Sequence, residues 1–210
     1  MAPSWLEKFI VREDATPDPR RSSEKPALDL QYAAVAPDRR TLSVRGETAP
    51  RYEVTRQSIL GAWGSKCRVT SPADQGAEVA MLDFHSMPRA YMEIVVARGG
   101  GGRRVEVGLT KQEYAAGGAL GLLRWKGTGM KAYGEASWEL RGEQGLVLSA
   151  SVNKNQTAGV VSVWVEGLEA DVLEELVLVG IAKIEQYKQT MRNAKTSLLA
   201  VAGGTVGAAA

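Results

Sequence analysis

The chain has 210 residues, 44% of them hydrophobic, and its 26 basic side chains nearly balance 24 acidic ones for a net charge of +2. That length holds one good-sized domain with tails rather than two domains, and so small a net charge argues against whole-molecule attraction to nucleic acid, leaving any anion site local. A single cysteine, Cys67, excludes an internal disulfide framework and a cysteine-based zinc site, so a reducing, cytoplasmic setting is the default.

From Met1 to Arg12 the apolar residues Trp5, Leu6, Phe9, Ile10 and Val11 are interrupted by Glu7 and Lys8. This is not the uninterrupted apolar region of a signal peptide. Ala2 stands where N-myristoylation needs glycine, and no CaaX box is present. The segment is expected to dock on the protein's own body, with Trp5 as a candidate contact to a membrane or partner instead. Glu13–Pro26 is rich in Pro, Arg, Ser and Asp without apolar periodicity, and reads as a flexible linker. Residues 1–26 are therefore set apart from the domain.

Strand-like runs follow at Leu28–Val35, Thr41–Arg45, Tyr52–Ile59, Lys66–Ser71, Glu78–Phe84, Ala90–Ala97, Arg103–Leu109, Gly121–Lys126, Ala132–Arg141, Leu146–Val152 and Val160–Glu166. Turn residues separate them, among them Pro37-Asp38, Pro72, Gly99–Gly102 and Asn153–Asn155. Alternation marks half-buried strands: Ala136, Trp138 and Leu140 share one face, and Leu146, Leu148, Ala150 and Val152 continue an apolar face in the next run. Many short strands at this spacing indicate a barrel or sandwich.

Val172–Ile184 leaves a helix almost no polar face, and Asp171 with Glu174 gives it a capping-box-like start. Bounded by Glu174-Glu175 and by Lys183 and Glu185, the run is too short to span a membrane. A helix apolar all round needs apolar walls on every side, which a surrounding barrel supplies. Past Ile184 the polar residues Gln186, Lys188, Gln189, Arg192 and Lys195 predict that the helix emerges into water. The domain is expected to cover residues 27–195 with its helix near 168–195, and Ala/Gly-rich residues 196–210 to form a disordered tail.

The stretch from Leu122 to Arg192, with its Arg124-Trp125-Lys126 strand, Gly142–Gly145 hairpin and LEELVLVGIAKIEQ helix, resembles the C-terminal half of the tubby C-terminal-like superfamily. The likeness is greatest to the small fungal domains of uncharacterised function. Plant LURP-one-related proteins and phospholipid scramblases share that fold. The resemblance implies a mainly β fold: a closed antiparallel barrel of about twelve strands enclosing a hydrophobic C-terminal helix. The chain lacks the acidic calcium-ligand run and the palmitoylated cysteine cluster of the scramblases. Animal tubby proteins hold phosphoinositide headgroups partly through a Lys-x-Arg pair on a strand, and Lys66-Cys67-Arg68 has that spelling.

Lys66 and Arg68 sit two apart in a strand and so share a face, as do Arg124 and Lys126 around Trp125; Arg103-Arg104 follows the glycine run. Converging, these six cations form a candidate lipid or phosphate site, with guanidinium groups giving bidentate contacts. Taken singly, each pair is ordinary barrel exterior. Neither Gly99–Arg104 nor Gly127-Thr128-Gly129 has the spacing of a phosphate-binding loop. His85, the only histidine, reads as a structural or surface residue, since neighbouring Asp83 and Ser86 cannot supply the convergent geometry of a triad. Trp125 and Trp138 fall on core faces, while Trp164, opposite Val163 and Val165, is a candidate partner contact.

No acid, base and nucleophile assemble into a catalytic set, and no metal or cofactor is expected. The expected function is a non-enzymatic binding module for anionic phospholipid headgroups such as phosphoinositides, peripheral to a membrane surface. The alternative is a soluble protein-interaction or regulatory factor, pathogen- or stress-related, without lipid binding. A concentrated basic pocket favours the first and an evenly mixed surface the second.

Overall fold

A computed structural model describes residues 15–59, 62–85, 91–97, 102–108, 112–130 and 134–204. Trp5 and Gly99–Gly101 lie outside the described residues.

Twelve strands form a single sheet: β1 (Leu28–Ala34), β2 (Arg39–Val44), β3 (Tyr52–Ile59), β4 (Ala62–Ser71), β5 (Ala77–His85), β6 (Tyr91–Val96), β7 (Arg103–Gly108), β8 (Glu113–Ala115), β9 (Leu122–Met130), β10 (Ala136–Gly142), β11 (Gly145–Val152) and β12 (Ala158–Val163). Consecutive strands pair antiparallel except β7 and β8. The chain's first and last strands zip together, Leu30 opposite Val161 and Leu28 opposite Val163. The sheet's two ends, β7 and β8, lie side by side without a ladder, so the barrel is nearly closed with one seam. Alternation places Leu30, Leu42, Val54, Leu82, Ile94, Val105, Leu123, Trp125, Trp138, Leu148 and Val161 in the interior, each nearly or fully buried.

That interior is filled by the long helix. A four-residue turn, α1 (Arg20–Ser23), precedes β1, and α2 (Ala170–Gly204) follows β12. Leu176, Val177, Leu178, Val179, Ile181, Ala182 and Ile184 are all at most 1% exposed, so α2 is enclosed on every side, as its unbroken apolar run requires. The helix backbone is pressed against β12: a Cβ at Gly180 would lie 2.6 Å from Val161 Cγ1.

Three expectations are corrected. The helix does not enter water directly after Ile184 but only at Arg192. Glu185, Tyr187, Lys188 and Met191 are buried, because inward-facing Tyr32, Arg40 and Arg56 meet the polar side chains inside the barrel. Nor does it stop near residue 195: α2 runs to Gly204 through the good helix formers Leu198, Leu199, Ala200 and Ala202, and only residues 205–210 of the expected tail lie outside the described residues. Finally, the linker is docked from Ala15 onward. The Ala15 N–H donates to the Gly127 carbonyl at 3.2 Å and Arg20 Nη2 to the Leu146 carbonyl at 3.0 Å, so polar contacts compensate for its lack of apolar residues. β8 had no counterpart in the sequence pattern, being only three residues long. Among the described residues, no helix is long and apolar enough to cross a membrane.

Candidate functional site

Lys66 with Arg68 and Arg124 with Lys126 share faces as expected, but the barrel does not gather the six cations singled out by sequence. Lys66 and Arg68 project outward from β4 around buried Cys67, and Arg124 and Lys126 from β9 around buried Trp125. Going round the seam side, five strand spacings separate β4 from β9, roughly 24 Å along the wall. Five of the six have a carboxylate partner, while half-buried Lys126 makes no ion pair among the described residues. Lys66 pairs with Asp83 at 3.4 Å, Arg68 with Glu78 at 3.0 Å and Arg104 with Glu93 at 3.1 Å, while Arg124 pairs with Glu113 across β8–β9. Arg103 turns to the barrel mouth, where its Nη1 lies 2.9 Å from Glu175 of α2. Glu175 also accepts the Gly117 N–H at 3.1 Å, so it links both sides of the β7–β8 seam, and burial raises its pKa.

His85 stacks on Tyr91 with centroids 4.3 Å apart and lies 3.7 Å from Asp83 and 3.9 Å from Glu93, within a mixed charged row across β4 to β7. No group of side chains suited to a metal ion is found among the described residues.

The most concentrated polar chemistry is hidden inside. Glu185, fully buried on α2, accepts Arg56 Nη2 at 2.9 Å, Lys188 Nζ at 3.4 Å and the Tyr32 hydroxyl, and forms an ion pair with Arg40, whose Nε lies 3.5 Å away. Arg56 also donates to the Glu185 main-chain carbonyl at 3.2 Å and to Gln189. Desolvation opposes the charge of Glu185, yet the three cations hold its pKa below the usual carboxylate range. Desolvation lowers Lys188 to about 8. Burial and the Glu185 charge push the Cys67 thiol up to about 12, so it is no nucleophile. Lys183 lies over the rings of Trp125 and Trp138, at 5.5 and 5.6 Å, and donates to Gln112 at 3.0 Å.

An accessible concavity lies on the outer wall instead, over β10, β11, β12 and β1. Outward positions there are small or hydroxylated, and the register lines them up: Ser137 opposite Ser151, Ser151 opposite Val160, Val160 opposite Gln31. A parallel row runs Glu139, Ser149, Ser162, Asp29. Small residues such as Ala33, Ser137, Ser151 and Gly159 lie on this face, where there is a groove of about 930 Å³, and a second of about 580 Å³ adjoins it, sharing Arg21, Arg45, Ser151 and Val160. Gly159 lets β12 come close, since a Cβ there would lie 2.3 Å from the Ser151 carbonyl oxygen.

The groove walls are fixed by carboxylates. Arg45 is held through Nε by Asp29, which also accepts the Ser162 hydroxyl at 2.8 Å. Arg21 Nη1 donates to Ser137 at 3.0 Å and to Glu139 at 3.2 Å. Trp164 is half-buried at the end of the second cleft, its Nε1 donating to Ser149 at 2.9 Å; it lines a groove rather than standing free. The Gln31 amide and the Ser151 hydroxyl make no hydrogen bond among the described residues and face the groove. Such a surface can pair with carbonyls, amides and carboxylates along an extended ligand. Sequence reasoning passed over Arg21, Gln31, Arg45 and Ser151; the available signal was the serine at alternate positions of two successive strands, Ser149 and Ser151 then Ser162.

No family model, curated protein or solved structure matches the chain.

Proposed function

We propose that the protein is a non-enzymatic binding module that engages another polypeptide through the outer groove, the reading of a protein-interaction or regulatory factor. One observation carries the choice over an anionic lipid: Lys66, Arg68, Arg104 and Arg124 each have a carboxylate partner on a neighbouring strand, so these sites form a mixed surface rather than a concentrated basic one. Free hydrogen-bonding groups on a floor of Ala33, Val160 and small residues suit a backbone laid across the wall. Membership of the tubby C-terminal-like superfamily belongs to the same proposal, supported by the twelve strands and the enclosed helix.

The test has two arms. Vesicles of phosphatidylcholine doped with phosphatidylinositol bisphosphate should fail to float the protein at low salt. A photo-crosslinking residue at position 151 should give a discrete protein adduct that V160W abolishes and that the same residue at position 55, on β3, does not give. Flotation that is lost in the K66A/R68A double variant would reverse the choice and restore the headgroup reading.

A further inference from the structure

The segment from Ala15 to Pro26 is a strap across the outer wall, and its attachment is almost wholly polar. No residue of α1 is buried. The strap is held by Glu139, a fully buried carboxylate on β10 that accepts the Asp18 N–H at 3.0 Å and Arg21 Nη1 at 3.2 Å, with Arg141 Nε at 2.9 Å beside them. Arg141 also reaches the Thr16 carbonyl at 2.6 Å, and Arg20 reaches that of Leu146. Within this strap the sequence reads Arg20-Arg21-Ser22-Ser23, which puts two cations two and three residues before Ser23.

We propose that Ser23 is a phosphorylation site for an arginine-directed protein kinase, and that the phosphoryl group releases the strap from Glu139. Ser23 is exposed, and its hydroxyl donates only to the Pro19 carbonyl at 3.1 Å. A turn with nothing buried opens locally at small cost, so the segment can extend into a kinase cleft whose acidic groups take the two arginines. In the transfer, Ser23 Oγ forms a bond to the γ-phosphorus of ATP, the bond from that phosphorus to the bridging oxygen breaks, and ADP leaves. The hydroxyl proton passes to the kinase's base.

The product undoes what holds the strap. A phosphoserine carries about −1.5 to −2 charges and no hydroxyl proton, so its bond to the Pro19 carbonyl becomes a repulsion. It stands next to Glu24, a like charge, and beside the guanidinium groups of Arg20 and Arg21. A phosphate dianion binds a guanidinium more strongly than a carboxylate does, so it competes with Glu139 for Arg21. Because Arg21 also walls both clefts of the outer groove, its withdrawal widens that groove.

The full-length protein would be treated with the catalytic domain of an arginine-directed kinase and MgATP, the modified residue mapped by mass spectrometry, and amide hydrogen exchange compared before and after. The expected result is one phosphoryl group at Ser23, retained in S22A and lost in S23A, with exchange of the Asp18 amide accelerated by about tenfold or more. Unmodified S23A should exchange like the wild type, showing that the charge rather than loss of the hydroxyl matters. No incorporation at Ser23 of the folded chain, or incorporation that leaves exchange across 15–26 unchanged, would overturn the proposal.

Discussion

Two carboxylates are equally shielded from solvent, Glu185 inside the barrel and Glu139 on its outer wall, and both gather arginines. What shields them differs. Glu185 sits among apolar strands and a helix, where its partners Arg40 and Arg56 are at most 3% exposed as well. Glu139 is covered by a strap of polar residues, and the side chains of its partners Arg21 and Arg141 are 25% and 29% exposed. A pair buried on both sides leaves a stranded charge when one member is removed; a pair with one wet side lets water take over. The same residue types therefore serve the permanent core in one place and a removable cover in the other.

Deleting the inner carboxylate should break this contrast most severely. Glu185→Ala leaves Arg40 and Arg56 buried around a missing charge and should lower stability by about 3–5 kcal/mol, read as the shift in urea midpoint. A loss no larger than that of Glu139→Ala would show that the two environments are equivalent.

The inner cluster should also appear in the pH dependence. Lys188 has its pKa lowered from 10.5 to about 8. Above pH 8 the folded state has released that proton while the unfolded chain keeps it, so stability from this group rises with pH until about 10.5. Cys67 and Tyr187 act in the opposite sense, both pushed up to about 12, so their contribution falls once their unfolded counterparts ionise above 9 and 10. The melting temperature should thus climb between about pH 8 and 9, stay level to about pH 10 while the Lys188 and Cys67 contributions cancel, and decline beyond it. In Lys188→Met the climb should vanish, and a wild-type profile already flat over that interval would contradict the placement of Lys188.

On the outer wall, Glu139→Ala should cost only about 1 kcal/mol while freeing the strap, seen as protease sensitivity between residues 15 and 26 with an intact barrel. The smallest effect is expected for K66A/R68A, whose exposed pairs with Asp83 and Glu78 should change stability by less than about 0.5 kcal/mol. A larger loss there would mean that the exterior ion pairs support the barrel.

Most of the architecture could be read along the chain because it depends on local periodicity. Ala136, Trp138 and Leu140 alternate, and Val172–Ile184 has no polar face, so strands and an enclosed helix follow from side-chain direction alone. The burial of the helix beyond Ile184 is not legible in the sequence for a definite reason. Glu185 and Lys188 look solvated unless it is known that Arg40 on β2 and Arg56 on β3 point inward at the same level, some 130 to 150 residues away in sequence. The docked strap escaped notice similarly, since its partner Glu139 stands 121 residues from Asp18.

The candidate site divides along the same line. That Lys66 and Arg68 share a face, as do Arg124 and Lys126, follows from the residue order alone, because a strand's period of two fixes direction. The residue order also sets the strands and the wholly apolar core of the helix. Folding sets these pairs apart, Lys66 against Asp83 and Arg124 against Glu113 of the adjoining strands, and lines up Ser137, Ser151, Val160 and Gln31 into a groove. Facing within a strand is a property of consecutive residues. Adjacency between strands depends on register and barrel closure, which the whole chain sets together.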